Sequence, residues 1–394
     1  MAITIEDLRA RARRRLPRAL FDFVDGGGED EVTLRGNRAA FERITFRPRA
    51  LVDVSLRDAS TTVLGVSLAA PLVVAPTGMP GLLWPRGEVA AARAAKARGT
   101  IFTLATRATC CIEEVAEATG GHVWFQVYVW RDRDITRRLV ERARDAGAKA
   151  MFLTVDVPVI SQRERDLRNS FTVPPKITIR NALDTLRRVD WLVRALRGPK
   201  ITDRNFLGLA ATAGGSDLVR LGGYVTGLHD ASVDWDDFRW FRRLWDGPLV
   251  VKGIVGVEDA TRAVDEGADG VVVSNHGGRQ LDYLPQAIEA LPEVVDAVGH
   301  RSEVILDGGV RRGSDVVKAV ALEAKACMVG RPALWGLASG GQPGVERAIA
   351  ILQLEIDRTL GLLGRPGLAD LDRSALRLPA ELRAPELAGA GVRP

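Results

Sequence analysis

The sequence predicts an α/β fold, a (β/α)8 TIM barrel, and three observations lead to that prediction. Eight short apolar runs recur along the chain as near-continuous hydrophobic stretches, which is typical of strands buried on both faces. Amphipathic segments such as RDITRRLVERARDAGA separate most of them, and a glycine that suits a helix C-cap often precedes the next run. No GxGxxG motif joins a run to a helix, which disfavours the alternative of a doubly wound sheet.

The predicted strands follow one another along the chain with helices between them. They cover residues 72–78, 101–106, 123–129, 151–157, 249–254, 270–277, 303–309 and 326–331. We therefore expect one domain over residues 1–394, with its barrel formed by 71–157 and 249–364.

Three segments fall outside the repeating units. Residues 1–70 carry a helix and the turn-rich VDGGGEDEVTL, and we expect them to form a lid across one barrel end. Residues 158–248 form an insertion after the fourth strand, where the usual connection is far shorter. Such an insertion extends from the C-terminal rim, where barrel enzymes keep their active sites. Residues 365–394 are expected to form a tail, because their end is rich in Pro, Ala and Gly.

Composition bounds the function class. The net charge of +5 comes from arginines spread beside nearly as many acids, so it does not indicate a nucleic-acid partner. Three cysteines, Cys110, Cys111 and Cys327, form no disulfide framework and favour a reducing, cytoplasmic location. We expect no export signal and no membrane-spanning segment, since no stretch approaches about 20 uncharged apolar residues.

Residues 176–200 open the insertion with seven basic and two acidic residues. One predicted amphipathic helix would carry an apolar stripe there, formed by Ala182, Leu186, Val189, Val193 and Leu196. Such a helix suits an anionic membrane surface, which would place the protein peripherally on the inner face of the cell membrane. The alternative is a lid helix that packs its stripe on the barrel or on a neighbouring subunit. Trp191 falls off the stripe, which weakens the membrane interpretation.

Reactive side chains follow two of the predicted strands. The sixth strand ends in SNHGGRQLD, which presents His276 and Arg279, and the fourth ends in Asp156 with Arg163 beyond it. An aspartate beside an imidazole fixes its tautomer and lets the ring accept a proton near neutral pH. Glycines beside the histidine let the chain turn sharply and a flat or bulky group approach. The alternative for His276 is a structural ring with satisfied hydrogen bonds.

Glycine-rich turns end the last two predicted strands, in LDGGVRRGSD and MVGRP. These two strand ends are the usual phosphate site of a barrel, and Arg311 and Arg331 add charge-assisted contacts. Lys252 lies within the apolar run of the fifth strand, where a lysine needs an anionic partner. A cofactor with a phosphate and an electron-rich ring fits both features. No metal site is predicted.

SNHGGRQLD resembles the signature of the FMN-dependent α-hydroxy-acid dehydrogenases and oxidases, such as glycolate oxidase, L-lactate dehydrogenase and mandelate dehydrogenase. PTG, FQVYV, TVDVP, KGI, DGGVRRG and GRP follow in that family's order, and the resemblance runs from about Ile5 to Gly364. It implies FMN across the C-terminal mouth of the barrel. The implied FMN contacts are Pro76, Thr77, Gly78, Ala105, Gln126, Thr154, Lys252, Ser274, Asp307, Gly308, Gly309, Arg311, Gly330 and Arg331.

The resemblance also implies the reaction, the oxidation of a mandelate-like or lactate-like (S)-2-hydroxy acid to the 2-oxo acid. His276 is implied as the catalytic base, with Asp156 supporting it, while flavin N5 takes the hydride. Arg279 and Arg163 would bind the substrate carboxylate, to which a planar guanidinium fork is well matched. Tyr128 would bond the substrate's hydroxyl oxygen.

Departures from the family pattern lie on the substrate side. Phe23 replaces a family tyrosine that helps to bind the carboxylate, and one hydrogen bond to a charged group contributes about 1.5–3 kcal/mol. We therefore expect weak binding of small hydroxy acids and an aromatic substrate that stacks on Phe23. Ala105 replaces a flavin-side serine. Arg107 occupies a position that is often bulky or apolar, and we hypothesise that it reads a polar group on a larger substrate; a solvent-facing arginine is the alternative.

Gly78 after PT is typical of the family's dehydrogenases, which favours a quinone or another carrier as electron acceptor. The alternative is an oxidase that reduces oxygen to hydrogen peroxide, of the 4-hydroxymandelate or glycolate type. Family members commonly form homotetramers.

Two rival interpretations are another FMN barrel, such as a type 2 isopentenyl-diphosphate isomerase or an IMP-dehydrogenase-like protein, and a flavin-binding or membrane-scaffold module without catalysis. The first group lacks SNHGGRQLD, and the second is disfavoured because the base and the arginine are present.

Overall fold

A computed structural model describes residues 1–171, 178–209 and 218–379 of the chain. Its strands are β1 (Thr45–Phe46), β2 (Thr61–Val63), β3 (Val66–Leu68), β4 (Leu72–Val74), β5 (Phe102–Ala105), β6 (Val123–Val127), β7 (Met151–Thr154), β8 (Leu249–Ile254), β9 (Gly270–Ser274), β10 (Glu303–Asp307), β11 (Ala326–Val329) and β12 (Leu376–Arg377). Its helices are α1 (Ile5–Arg15), α2 (Arg18–Asp25), α3 (Val32–Arg43), α4 (Gly87–Ala97), α5 (Ile112–Thr119), α6 (Arg133–Asp145), α7 (Glu164–Arg168), α8 (Ile179–Leu186), α9 (Val189–Arg197), α10 (Leu218–Gly227), α11 (Trp235–Leu244), α12 (Val257–Asp265), α13 (Ala287–Val298), α14 (Gly313–Ala321) and α15 (Arg331–Leu363).

Strands β4 to β11 form a closed parallel barrel in chain order, with β11 paired to β4. The predicted (β/α)8 fold is therefore confirmed, and each of the eight predicted apolar runs contains one barrel strand. The barrel interior is filled by side chains such as Trp124 and Phe152, whose rings stack 5.1 Å apart. Their neighbours Phe125 and Leu153 point outward and pack under the helices. This alternation buries both faces of each strand, which explains the apolar runs.

The N-terminal segment contacts both ends of the barrel. The hairpin of β2 and β3 packs Val63, Leu64 and Leu68 into the interior cluster, and the Leu64 amide donates to Glu303 at the start of β10. At the opposite end, Gly28 donates to the carbonyl of Gly278, in the loop that follows β9. Residues 1–70 therefore close the bottom of the barrel and also border its C-terminal mouth.

The insertion contains two short helices where one was predicted. The prediction of a single helix over 176–200 is wrong, because the chain leaves helical geometry at Arg188 (φ −99°, ψ 55°) between α8 and α9; residues 176 and 177 lie outside the described residues. Hydrogen bonds to the N-terminal helices stabilise this interruption between α8 and α9. The Arg188 guanidinium donates to the carbonyl of Arg14, and the Asp184 carboxylate accepts from the Arg18 amide at 2.6 Å.

The apolar stripe of α8 and α9 faces away from the barrel. Leu186, Val189 and Leu196 are 60%, 61% and 76% exposed, so the stripe does not pack on the described part of this chain. Trp191 lies on the opposite side, and its indole Nε1 donates to the carbonyl of Leu82 at 2.9 Å. Its position off the stripe is thus explained, because Trp191 anchors α9 to the barrel.

The end of the insertion completes the fourth barrel unit. Phe238 and Phe241 of α11 are buried against the barrel, and an Asp234 capping box begins this helix. Of the helices in the described ranges, none combines the length and apolar character needed to cross a bilayer.

Candidate active site

A left-handed turn after β9 presents the candidate base. His276, Gly277 and Gly278 have φ of 56°, 62° and 71°, a region that is sterically costly for a residue with a side chain. The missing side chains make room for protein as well as for a ligand. A Cβ on Gly278 would lie 2.5 Å from the backbone nitrogen of Leu34, and one on Gly277 would lie 2.9 Å from Nη1 of Arg331. The glycines therefore let the N-terminal segment and Arg331 close around the turn.

Asp156 lies behind the His276 ring. The imidazole Nδ1 is 3.0 and 3.1 Å from the two carboxylate oxygens of Asp156. Burial favours the neutral acid, but the charge and hydrogen bond of His276, with the charge of Lys252, keep the pKa of Asp156 below its usual value. Because a carboxylate only accepts, Nδ1 carries the hydrogen, and in the neutral ring Nε2 keeps its lone pair. This arrangement suits a general base.

Two arginines converge on Phe23. The guanidinium carbons of Arg163 and Arg279 lie 5.6 and 5.4 Å from the centre of its ring. Burial, with the charges of Arg163 and Arg331, lowers the pKa of Arg279 well below its usual value. Its Nη1 donates to the carbonyl of Gly26 at 2.9 Å, and within the described ranges no carboxylate forms an ion pair with it. Such a partly buried cation without an ion-pair partner is suited to an anionic ligand.

Lys252 projects from β8 into a buried polar cluster. Its Nζ lies 2.9 Å from Oδ2 of Asp307 and 3.1 Å from Oγ of Ser274, and Ser274 in turn donates to Asp307 at 2.7 Å. Burial opposes the charge, but Asp307 and Asp156 outweigh it and raise the pKa of Lys252. The anionic partner that the sequence requires for Lys252 is therefore Asp307, and the ammonium is charged.

Arg331 is buried and Arg311 is partly buried beside the same cavity. Arg331 donates to the carbonyls of Val24, Gly26 and Gly277, and Arg311 donates to that of Val310. Burial lowers the pKa of Arg311 to about 9 and that of Arg331 to about 10, and in Arg311 the neighbouring Arg331 charge adds to this. Neither has a carboxylate within ion-pair distance in the described chain. Two such cations are suited to binding an anion such as a phosphate.

One cavity of about 750 Å³ collects most of these groups at the C-terminal ends of β4, β8, β9, β10 and β11. The predicted residues in its wall are Phe23, Pro76, Thr77, Gly78, Lys252, His276, Arg279, Asp307, Gly308, Gly309, Arg311, Gly330 and Arg331. A neighbouring cavity of about 1030 Å³ is lined by Tyr128 and Thr154, together with His229, which the sequence did not indicate. The predicted residues outside both walls are Ala105, Arg107, Gln126, Asp156, Arg163 and Ser274.

Gln126 and Tyr128 lie at the end of β6, in the third predicted strand run. The amide Nε2 of Gln126 is buried and has no hydrogen-bond partner in the described chain, although its Oε1 accepts from the Thr106 amide at 3.3 Å. A buried donor without a partner indicates a missing acceptor, and a flavin ring carries several. Burial and the negative charge of Asp156 raise the pKa of Tyr128, so its phenol remains protonated.

Arg107 is engaged by the insertion. Its Nη2 donates to Asp203 at 2.9 Å and its Nη1 to the Thr226 hydroxyl at 3.0 Å. Asp203 is fully buried, so this ion pair holds the insertion against the end of β5. The alternative of a solvent-facing Arg107 therefore does not hold, because its guanidinium is only partly exposed and is bonded to Asp203 and Thr226.

Besides His229, the sequence did not indicate Asp166 and Asn37, which also lie around this site. Asp166, in α7, lies 3.7 Å from the Arg163 guanidinium and is held there by the same short helix that follows Arg163. Asn37 forms a reciprocal amide pair with Asn275, at 2.8 and 2.9 Å, and thereby ties α3 to the end of β9. The asparagine inside SNHGG was the available signal for the second contact, but its partner is distant in sequence.

The fold and the site together define a barrel enzyme with a buried, cationic cofactor cavity. The family described as FMN-dependent dehydrogenase matches residues 12–378. Glycolate oxidase 3 of Arabidopsis thaliana is 44% identical over 366 residues, which cover 93% of each chain. An L-lactate oxidase of Nostoc sp. is 45% identical over 371 residues, which cover 93% of this chain and 96% of that protein.

Solved structures agree with this relationship. The crystal structure of the monotopic membrane protein (S)-mandelate dehydrogenase has a TM-score of 0.92 and 40% identity, and the match covers 96% of this chain and 100% of that one. The chain belongs to the FMN-dependent dehydrogenase family. It is therefore an FMN-dependent oxidoreductase, and the predicted family, enzyme class and cofactor are confirmed. The orphaned Gln126 donor and the arginines without anions fit that cofactor.

Proposed function

We propose that this protein oxidises an (S)-2-hydroxy acid to the corresponding 2-oxo acid. The observation that carries the proposal is that His276 and Arg279 line one cavity together with Phe23. Asp156 supports the imidazole from behind, and Arg163 lies with Arg279 beside the Phe23 ring. A 2-hydroxy acid has a hydroxyl proton that His276 can accept and a carboxylate that Arg163 and Arg279 can bind.

Each side chain has a defined task in this scheme. Arg279 and Arg163 bind the substrate carboxylate, and Tyr128, which is protonated, donates to the hydroxyl oxygen. His276 takes the hydroxyl proton on Nε2, while Asp156 accepts from Nδ1 and stabilises the imidazolium that forms. The hydride equivalent that leaves C2 of the substrate would be taken up by the flavin ring that FMN supplies when bound.

The same proposal assigns the residues that would hold FMN. Lys252 would supply a buried positive charge near the ring, and Arg311 with Arg331 would bind the phosphate. The remaining proposed contacts are Pro76, Thr77, Gly78, Ala105, Gln126, Thr154, Ser274, Asp307, Gly308, Gly309 and Gly330. We treat residues 1–394 as one functional domain, of which 380–394, in the predicted tail, lie outside the described residues.

The substrate we favour is aromatic and mandelate-like. Phe23 has no hydroxyl to offer a small carboxylate, whereas its ring, 5.1 Å from that of Phe171, adds apolar surface beside the arginines. The similarity to an (S)-mandelate dehydrogenase supports this choice over a lactate-like substrate. Arg107 reads a polar group on the substrate only if that group competes with Asp203 and Thr226 for the guanidinium.

We further propose that the electrons leave through a quinone or similar carrier at a membrane surface. The exposed stripe of α8 and α9 lies beside basic residues of the last turn of α1, to which Arg188 is bonded. Apolar side chains flanked by arginines suit an anionic lipid surface, and the similar mandelate dehydrogenase is a monotopic membrane protein. On this proposal the protein is cytoplasmic and peripheral on the inner face of the membrane, and assembles as a homotetramer.

The second candidate is an oxidase that passes electrons to oxygen, which the similar glycolate and L-lactate oxidases favour. Anaerobic mixing of the holoprotein with (S)-mandelate, (S)-lactate and glycolate tests the common reaction by loss of the flavin colour. Readmission of air then separates the candidates, because an oxidase recovers its colour rapidly and releases hydrogen peroxide. A dehydrogenase recovers slowly and reoxidises faster with a soluble quinone.

The lipid proposal is tested by sedimentation with vesicles. We expect binding to vesicles that contain anionic lipid, weak binding to neutral ones, and loss of binding in the variant Leu186→Asp/Leu196→Asp. Equal recovery of both proteins with anionic vesicles would contradict a membrane role. A shift of the variant alone from tetramer to smaller species would instead assign the stripe to a subunit contact.

A further inference from the structure

Gly253 interrupts the regular pairing of β8. Lys252 is opposite Val272 of β9, and Ile254 is opposite Val273, so Gly253 is the extra residue of a β-bulge. Its φ is 105°, a conformation that residues with a side chain rarely adopt. Bulges are common beside active sites, where they redirect a side chain.

The missing side chain of Gly253 makes room for Asp156. A Cβ on Gly253 would lie 2.5 Å from Cγ, 2.7 Å from Cβ and 2.8 Å from Oδ1 of Asp156. Those distances are far below van der Waals contact, and two of the three atoms belong to the carboxylate that binds His276. A methyl group at Gly253 therefore cannot coexist with the observed position of that carboxylate.

The loop that carries Asp156 is also bound to the bulge. The amide of Val155 donates to the carbonyl of Lys252 at 3.0 Å, so the two segments have little freedom to separate. The carboxylate must then turn away rather than shift with its backbone. Without it, His276 loses the acceptor that selects the Nδ1–H tautomer.

We infer that Gly253 is a positioning residue, whose bulge and absent side chain hold the Asp156 carboxylate against His276. This inference rests on the proposed function, in which His276 is the base and Asp156 supports it. Gly253 lines the cavity that also contains Tyr128 and Thr154, and in the role inferred here it acts through the Asp156 carboxylate. A glycine within a strand indicates a bulge or the close approach of another group, but the sequence does not show that this group is the Asp156 carboxylate.

Gly267 provides a matched control. Its φ is 99°, close to that of Gly253, but a Cβ there would meet only the flexible Arg242 side chain, at 3.5 Å or more. Gly267→Ala therefore imposes similar backbone strain without displacing a carboxylate. We expect Gly253→Ala to reduce the rate of anaerobic flavin reduction by about 10- to 100-fold. Its FMN content and substrate KM should stay unchanged, and Gly267→Ala should keep the wild-type rate.

A spectroscopic readout reports the geometry without turnover. In protein with isotope-labelled histidine, the His276 resonances are assigned by their loss in His276→Gln. We expect wild-type protein and Gly267→Ala to show the Nδ1–H tautomer with a hydrogen-bonded, low-field proton. Gly253→Ala should lose that proton signal and show a mixture of tautomers. Retention of the wild-type signal in Gly253→Ala would overturn the inference.

Asp156→Ala separates failure of this inference from failure of the proposed function. If Asp156→Ala is slow and Gly253→Ala is not, the role of Gly253 is refuted while that of Asp156 stands. If Asp156→Ala itself keeps the wild-type rate, the supporting role of Asp156 is refuted.

If Gly253→Ala does not fold, the double variant Asp156→Ala/Gly253→Ala provides the test. Asp156→Ala removes Cγ and Oδ1, two of the three Asp156 atoms that a Cβ on Gly253 would meet. The double variant should match Asp156→Ala in rate, since no carboxylate is left to displace. A further tenfold loss would overturn the inference.

Discussion

Replacement of Asp156 by asparagine tests the base assignment with the least change in shape. The carboxylate lies 3.0 and 3.1 Å from Nδ1 of His276, and its side chain is 13% exposed. Asparagine keeps the size but removes the charge, and its amide can present either an acceptor or a donor to the ring. The imidazolium that forms during the reaction then loses its counter-charge, and the correct tautomer is no longer selected.

The size of the effect follows from this geometry. Two unit charges about 3 Å apart attract by about 5.5 kcal/mol at an effective dielectric constant of about 20. The His276 side chain is 26% exposed, so solvent screens part of this attraction. A hydrogen bond to a charged group contributes about 1.5–3 kcal/mol net, and we take this range as the loss of transition-state stabilisation in Asp156→Asn. It corresponds to a loss of about 10- to 160-fold in the rate of substrate oxidation.

The assay is stopped-flow measurement of flavin reduction without oxygen, over a range of substrate concentrations. The limiting rate should fall in Asp156→Asn, while the substrate dissociation constant stays near the wild-type value because Arg163 and Arg279 are intact. Asp237→Asn is the control, since Asp237 is a similarly buried partner of Arg133 outside the site. A limiting rate within about twofold of wild type in Asp156→Asn would refute the reasoning.

Three further predictions concern the cofactor, the substrate and stability. Arg311→Gln should weaken FMN binding about tenfold or more. The measurement is the quenching of flavin fluorescence when the apoprotein is titrated with FMN. Unchanged binding would exclude Arg311 from the phosphate site. Phe23→Tyr should lower the KM for lactate about tenfold or more and leave that for mandelate nearly unchanged, and equal changes in both would contradict the carboxylate role of this position. Burial opposes ionisation of Asp25, but the Arg9 guanidinium, bonded at 2.5 Å, lowers the pKa of Asp25 below its usual 3.8. The stability that this pair contributes is present above about pH 4 and is lost as pH falls through the folded-state pKa. Asp25→Asn should therefore lower Tm at neutral pH and have less effect in acid, and a pH-independent difference in Tm would contradict this.

The barrel was predictable because its signal is local. Each strand is buried on both faces and so appears as an apolar run, and the reactive residues follow strand ends in the linear sequence. The order of those runs therefore indicated that His276 and Asp156 share one rim. The sequence did not show that they are in contact, because that depends on the bulge at Gly253 between them.

The wrong prediction in the insertion has a physical cause. The apolar period continues smoothly through Arg187 and Arg188, so the sequence indicates one helix. The break is stabilised by hydrogen bonds to Arg14 and Arg18, more than 160 residues away in the chain, and no local pattern reports such contacts. The same holds for Arg107, whose partner Asp203 lies within the insertion.

Anaerobic flavin reduction tests the central claim most directly. Purified holoprotein is mixed without oxygen with (S)-mandelate and with its (R) enantiomer, and His276→Gln is treated in the same way. We predict that the wild-type flavin loses its colour with the (S) enantiomer only, and that His276→Gln retains FMN but stays oxidised. A wild-type flavin that stays oxidised with every 2-hydroxy acid, or a His276→Gln protein reduced as fast as wild type, would contradict the account.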